Sequence, residues 1–182
     1  MKNSLRIMMA RVLFLILAFT LALALTSTLS YPLFAINGKS NQATLRGLKG
    51  FGVLVEKLPP EVEQEGLNRL QLQLEVESKL RMAGIKVLTR EEVFRTPGEP
   101  YLYINVNVNV AKAESDIYAY SIDMLLIQQV SLLRDPNLTT FAVTWSKGGV
   151  GSIGKPILSH LQEYVREMVD IFIKAYLAEN PK

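Results

Sequence analysis

The sequence predicts an α+β domain, a two-layer α/β sandwich whose antiparallel-rich, five-stranded sheet carries two long helices on one face. Three observations lead there. Residues 101–110, YLYINVNVNV, alternate apolar and polar positions without a slip, the signature of a strand buried on one side. Residues 68–83 and 156–178 space their apolar residues at helical intervals, and the first of these lies between capping residues. The other apolar runs are short and are bounded by proline, glycine and asparagine, as strands are.

The chain opens with a basic segment, MKNSLRIMMAR, holding Lys2, Arg6 and Arg11 and no acid. From Val12 to Leu25 it carries no charge, and Pro32 then ends the run. A basic start, an apolar stretch and small residues after it define a secretion signal, expected over residues 1–35 with cleavage after Ala35 in PLFA. Counted through Leu29, the same run approaches the roughly 20 residues that span a bilayer, so an uncleaved anchor over 12–29 is the competing reading. Residues 36–47 lack any period and are expected to form a polar leader, with the domain occupying 48–182.

Within the domain, Phe51, Val53 and Val55 form one face of a first strand, closed by Pro59 and Pro60. The segment RLQLQLEVESKL alternates like a strand from Leu70 to Val76, but Leu72, Val76, Leu80 and Ala83 also fall at helical spacing. The caps favour a helix. Asn68 stands three residues before Gln71, Leu67 and Leu72 have the spacing of a hydrophobic staple, and Gly84 suits a left-handed C-terminal position with Ile85 folding back on Leu80. A short strand, IKVL, and a capping box from Thr89 to Glu92 follow. After the long strand at 101–110, a polar loop, KAESD, leads into a bent or bulged strand, YAYSIDMLLIQQVSLL. RDPN marks the next turn, and TTFAVTW a fifth strand with Phe141, Val143 and Trp145 inward. The glycine-rich KGGVGSIG is read as a connector to a last helix. Its apolar stripe is Leu161, Tyr164, Val165, Met168, Ile171, Phe172 and Ala175.

Charge and composition narrow the function. Residues 1–35 hold three of the 20 basic residues and no acid, so the rest of the chain balances 17 of each and has no excess charge to attract phosphates. A nucleic-acid partner is therefore not expected. The chain has no cysteine, which removes a lipid-accepting cysteine, disulfides and thiolate chemistry.

Several motifs resemble chemical sites. GVGSIG at 149–154 has the glycine spacing of a dinucleotide fingerprint, but no second strand bearing an acid follows it, as ribose binding requires. Ser152 and Lys155 have S-x-x-K spacing, yet Gly154 and Pro156 oppose the shared helical turn that would join them. His160 aligns with Glu163 and Glu167, a pattern also given by any solvated helix face, and no metal site or cofactor is assigned. Asp116 and Asp123, flanking a strand, suit solvated positions.

The row Tyr101, Tyr103, Asn105, Asn107 and Asn109 is the oddity, since asparagine is a poor strand former. Two readings stand. The amides bond across to Ser121 or Asp123 on the neighbouring strand, or the row is a recognition surface in which tyrosines supply rigid contact area and asparagines supply hydrogen bonds. On the second reading the candidate binding residues are these five together with Ser121 and Asp123, and no catalytic residue is assigned.

The segments GLKGFGVLVEKL, KLRMAGIKVLT, PYLYINVNV, LLRDP and TWSKGGVGSIG together resemble an uncharacterised family of exported bacterial proteins. In topology the chain is also similar to small cell-envelope α/β domains, the amino-terminal domain of TolB and the penicillin-binding-protein activator lipoproteins. Together with the signal, these resemblances imply an exported, periplasmic, non-enzymatic envelope module. It would bind a protein or glycan partner through its open sheet face or a free strand edge. The alternative expectation is a small envelope hydrolase or transferase with its site near residues 146–155.

Overall fold

The computed structural model describes residues 39–109 and 117–181, all within a unit spanning 36–182. The expected signal or anchor and the KAESD loop lie outside the described residues. In chain order the elements are α1 (Lys39–Ala43), β1 (Gly52–Val55), α2 (Pro60–Gln64), α3 (Arg69–Met82), α4 (Arg90–Phe94), β2 (Tyr101–Asn109), β3 (Ile117–Leu132), β4 (Asp135–Gly154), a 3-10 helix (Lys155–His160) and α5 (Leu161–Glu179). The fold is mixed α/β with one four-stranded sheet in the order β1-β2-β3-β4. β1 runs parallel to β2, and the two later pairs are antiparallel.

Local chemistry sets the helices as expected. Asn68 Oδ1 accepts from the Gln71 N–H at 3.0 Å, and Leu67 and Leu72 are both buried. At the far end Gly84 is left-handed, with φ +79°. Ile85 N–H donates to Leu80 O and Gly84 N–H to Arg81 O, which is a Schellman motif. Thr89 and Glu92 complete their capping box.

The alternating strands then divide the sheet into two faces. Phe51, Val53 and Val55 join Leu102, Ile104, Val106, Val108, Ile122, Met124, Leu126 and Trp145 in a single core with α3 and α5. At its centre Phe172 packs edge-on against Trp145, centroids 4.9 Å apart, and against Phe51, 5.3 Å apart. Between the two long helices, Glu75 accepts from Gln162 and from Arg166, at 2.8 and 3.0 Å.

Five expectations require correction. The segment IKVL contributes only an isolated parallel bridge, Phe51 to Val87, so the sheet has four strands and not five. KGGVGSIG is no connector: it continues β4 against β3 as far as Gly154. Residues 36–47 do not simply form a leader, because α1 starts at Lys39 and Leu45 is fully buried in the core. On α5 the buried stripe is Leu161, Val165, Met168, Val169, Phe172 and Tyr176, with Tyr164 and Ile171 exposed.

The last correction concerns the register of β4. Leu126 pairs with Trp145 but Ile127 pairs with Val143, which leaves Thr144 as a bulge. One extra residue reverses the parity of everything before it, so Trp145 faces the core while Val143 and Phe141 face the opposite side. Asn41 Nδ2 donates to Thr144 O at 3.2 Å, so α1 secures the bulge at the sheet edge, while the Thr44 hydroxyl just beyond α1 donates to Asn41 O at 2.7 Å.

Two outcomes test this packing. Trp145→Ala should lower the unfolding free energy by about 3–5 kcal/mol in denaturant titration, because the ring is buried against Phe172. Burial tends to raise the Glu75 carboxyl, but Arg166, Gln71 and Gln162 outweigh it and hold its pKa below the ordinary 4.5. A lowered folded-state pKa contributes stability that is present above the unfolded value and is lost as pH falls through the folded one. The urea midpoint of Glu75→Gln should therefore decline less below pH 4.5 than that of the native chain.

Candidate functional site

β2 places the candidate row. Because Leu102, Ile104, Val106 and Val108 are buried on the helix side, Tyr101, Tyr103, Asn105, Asn107 and Asn109 must lie on the other. Across the antiparallel ladder Asn105 stands opposite Asp123 and Asn107 opposite Ser121. All seven expected residues therefore share one sheet face, which neither long helix covers. Asn107 and Asn109 are exposed, and the other five are half-buried.

Asparagine's cross-strand bonding is sparse. Asn107 Nδ2 donates to Ser121 Oγ at 3.5 Å, the long limit for such a bond. The side chains of Asn105 and Asn109 have no hydrogen bond among the described residues. The stronger contact is at the tyrosine end, where Tyr103 Oη donates to Glu56 Oε2 at 2.5 Å. That bond, with some burial and the charges of Glu56 and Asp123, raises the Tyr103 pKa above 10 and keeps its hydroxyl a donor at neutral pH.

Glu56 N–H donates to Ile104 O, which continues the β1 register and sets Glu56 beside Asn105. Glu56, Asn105 and Asp123 thus form a polar row across three strands, and Gly148 follows opposite Asp123 on β4. Glycine leaves space there: a methyl group at Gly148 would lie 2.8 Å from Asp123 Oδ1, and the carboxylate would have to shift to admit it. Gly151 likewise leaves room for the Tyr120 hydroxyl on the helix side. The glycines of KGGVGSIG therefore admit side chains from β3, and this stretch is strand rather than a phosphate-binding loop.

Next to the polar row lies an apolar half that the periodicity did not reveal. Leu54, Tyr103 and Leu125 form one cross-strand line, and Tyr101, Ile127 and Val143 the next. Phe141 extends the band along β4. Leu54, Phe141 and Val143 are 45, 53 and 42 % exposed, high for large apolar side chains. Phe141 and Val143 reach this face only through the Thr144 bulge. No signal in TTFAVTW alone distinguishes a bulged strand from a regular one.

His160, Glu163 and Glu167 are all exposed on the C-terminal helical segment. Ser152 lies in β4, with strand backbone through Gly154 before the 3-10 helix begins at Lys155. Among the described residues no group of histidine, aspartate and glutamate has the geometry to hold a metal ion. No described helix is long and apolar enough to cross a membrane. No protein-family model, curated protein or solved structure matches the chain.

Tyr101 lies across Gly52, where an added methyl group would meet its ring at 2.6 Å and Val93 at 3.0 Å. Gly52→Ala should therefore destabilise the fold by about 1–3 kcal/mol through overpacking, measured by thermal or denaturant unfolding. It should also shift the Tyr101 ring resonances, since that ring must move to admit the methyl group.

Proposed function

We propose that this chain is an exported, non-enzymatic module of the cell envelope that binds a protein or glycan partner through the open face of its sheet. The observation that carries this reading is the composition of that face. An apolar band containing Leu54, Phe141 and Val143 adjoins a polar row of Glu56, Asn105 and Asp123. A surface of this kind offers both parts of a recognition site: apolar area to remove from water and oriented groups that set specificity. Tyr101 and Tyr103 bridge the halves, presenting flat rings whose ordering costs little entropy. Export rests on the basic, then apolar, amino terminus, which supports a mature chain beginning near Ile36.

The test is in-cell crosslinking read by mass spectrometry, comparing the native chain with two variants that leave the core intact. One replaces Asn105, Asn107 and Asn109 with threonine, and the other combines Phe141→Asp with Val143→Asp. Both should fold, with stability changes within about 0.5 to 1 kcal/mol for each position, since all five lie outside the core. Each should lose a crosslinked species that the native chain forms, because hydrogen-bonding or apolar groups removed from a desolvated interface leave their counterparts unmatched. Retention of every crosslink by both variants would refute the binding face. Amino-terminal sequencing of the same preparation should begin near Ile36.

A further inference from the structure

The open face carries charge of one sign. Within β1 to β4 the only basic residue is Lys147, and it stands opposite the buried Met124 on the helix side. The outward positions of the strands therefore hold no lysine or arginine. Asp123 lies among them, and Glu56 continues β1 on the same side. Beyond residue 35 the chain balances 17 basic against 17 acidic residues, so this face is acidic by arrangement and not by composition.

Glu56 and Asp123 flank Asn105, on strands that stand about 10 Å apart, twice the spacing of a paired ladder. No cation pairs with either carboxylate among the described residues. Glu56 accepts from Tyr103 Oη, whereas the Asp123 carboxylate accepts no hydrogen bond among the described residues, although Asp123 is half-buried. A carboxylate drawn partly out of water without a partner is unfavourable, and a cation that brings its own donors relieves it most. Room exists for one. Asp123 Oδ1 lies where a methyl group on Gly148 would come within 2.8 Å, so the neighbouring strand puts no side chain beside it. The hydrogen bond to Glu56, then burial, then the charges of Glu56 and Asp123 raise the Tyr103 pKa, so both charges are felt at one hydroxyl.

We propose that the partner of the open face is a protein segment presenting an arginine, which enters between Glu56 and Asp123 with apolar neighbours against Leu54 and Leu125. The inference rests on the open-face reading and names the class of ligand that this face takes. Charge complementarity decides for a cation, since nothing on the face itself balances the two carboxylates. Geometry decides for arginine. A guanidinium spreads five donors in a plane and can serve two carboxylates and the Asn105 amide oxygen together, whereas an ammonium is a compact point charge. The adjoining cross-strand row, Leu54, Tyr103 and Leu125, decides what flanks it, because apolar residues there remove apolar area from water. A neutral glycan would leave both carboxylates without a counter-charge, and an acidic one would be repelled. A protein segment supplies the cation and the apolar residues in one ligand.

The probe is a phage-displayed library of random peptides of about twelve residues, selected on the purified chain, with one enriched sequence then synthesised. Enriched sequences should place arginine beside apolar residues, and their binding should weaken as salt rises. Combining Glu56→Gln with Asp123→Asn keeps the shape of both side chains and removes their charge. That variant should stay folded by circular dichroism while the Kd of the peptide rises about tenfold or more. Replacing the peptide's arginine with alanine should weaken binding to the native chain by a similar factor and have little further effect on the neutralised variant, as directly coupled groups require. Three outcomes overturn the inference: enriched peptides without basic residues, a Kd unmoved by neutralising Glu56 and Asp123, or no enrichment while a glycan is recovered on the face. The neutralised variant also joins the crosslinking comparison. Crosslinks kept by it but lost from the asparagine and Phe141, Val143 variants would remove this inference and leave the open-face reading standing, whereas crosslinks kept by all three would remove both.

Discussion

Phe172 is the contact on which the domain depends. Its ring touches Trp145 on β4 and Phe51 at the start of β1, so one side chain of α5 joins both edge strands of the sheet to the C-terminal helix. Burying aromatic side chains this large contributes several kcal/mol, comparable to the whole net stability of an ordinary domain. Trp145 must therefore face inward. The apolar side of β2 must do the same for Leu102, Ile104, Val106 and Val108, which fixes the opposite side of β2 as the outer face.

Two strands meet that constraint differently. On β2 the period of two runs unbroken, and polar residues fill the outer positions throughout. On β4 the bulge at Thr144 interrupts it, and residues that would otherwise share the inner side with Trp145 turn outward. Beyond the bulge the inner-side pairs are Gln128 with Ala142 and Val130 with Thr140, in which Val130 is the only large apolar side chain. The outer face thus becomes amphipathic across its width because of a single inserted residue, and α1 holds that residue through Asn41.

The parts of this fold legible in the sequence are those specified by neighbouring residues. Asn68 with Gln71, Thr89 with Glu92, and Gly84 with Ile85 each form a complete local device, and each was readable from residue type and spacing. The run at 101–110 was equally clear, and it placed five of the candidate residues on one face; Ser121 and Asp123 join them through the β2–β3 register. What escaped depends on pairing between distant segments. A bulge has meaning only relative to the partner strand, so TTFAVTW gave no warning that Phe141 and Val143 would be exposed. The glycines at 148 and 151 read as a loop because the side chains that fill their space, from Asp123 and Tyr120, belong to β3. Leu45 looked like part of a leader because its burial depends on a core assembled from the rest of the chain.

The β3–β4 hairpin also carries a kinetic consequence. Its strands are joined by a two-residue turn at Leu133 and Arg134, so its ladder can zip outward from a short loop. β1, by contrast, meets β2 in parallel only after the chain has travelled through α2, α3 and α4. Closing that long segment costs more chain entropy before any contact rewards it. Chain entropy therefore favours closure of the hairpin before β1 docks on β2. Until it does, β2 offers an unpaired edge to the surrounding solution, and the interval of folding in which the chain is most prone to aggregate ends with the arrival of β1.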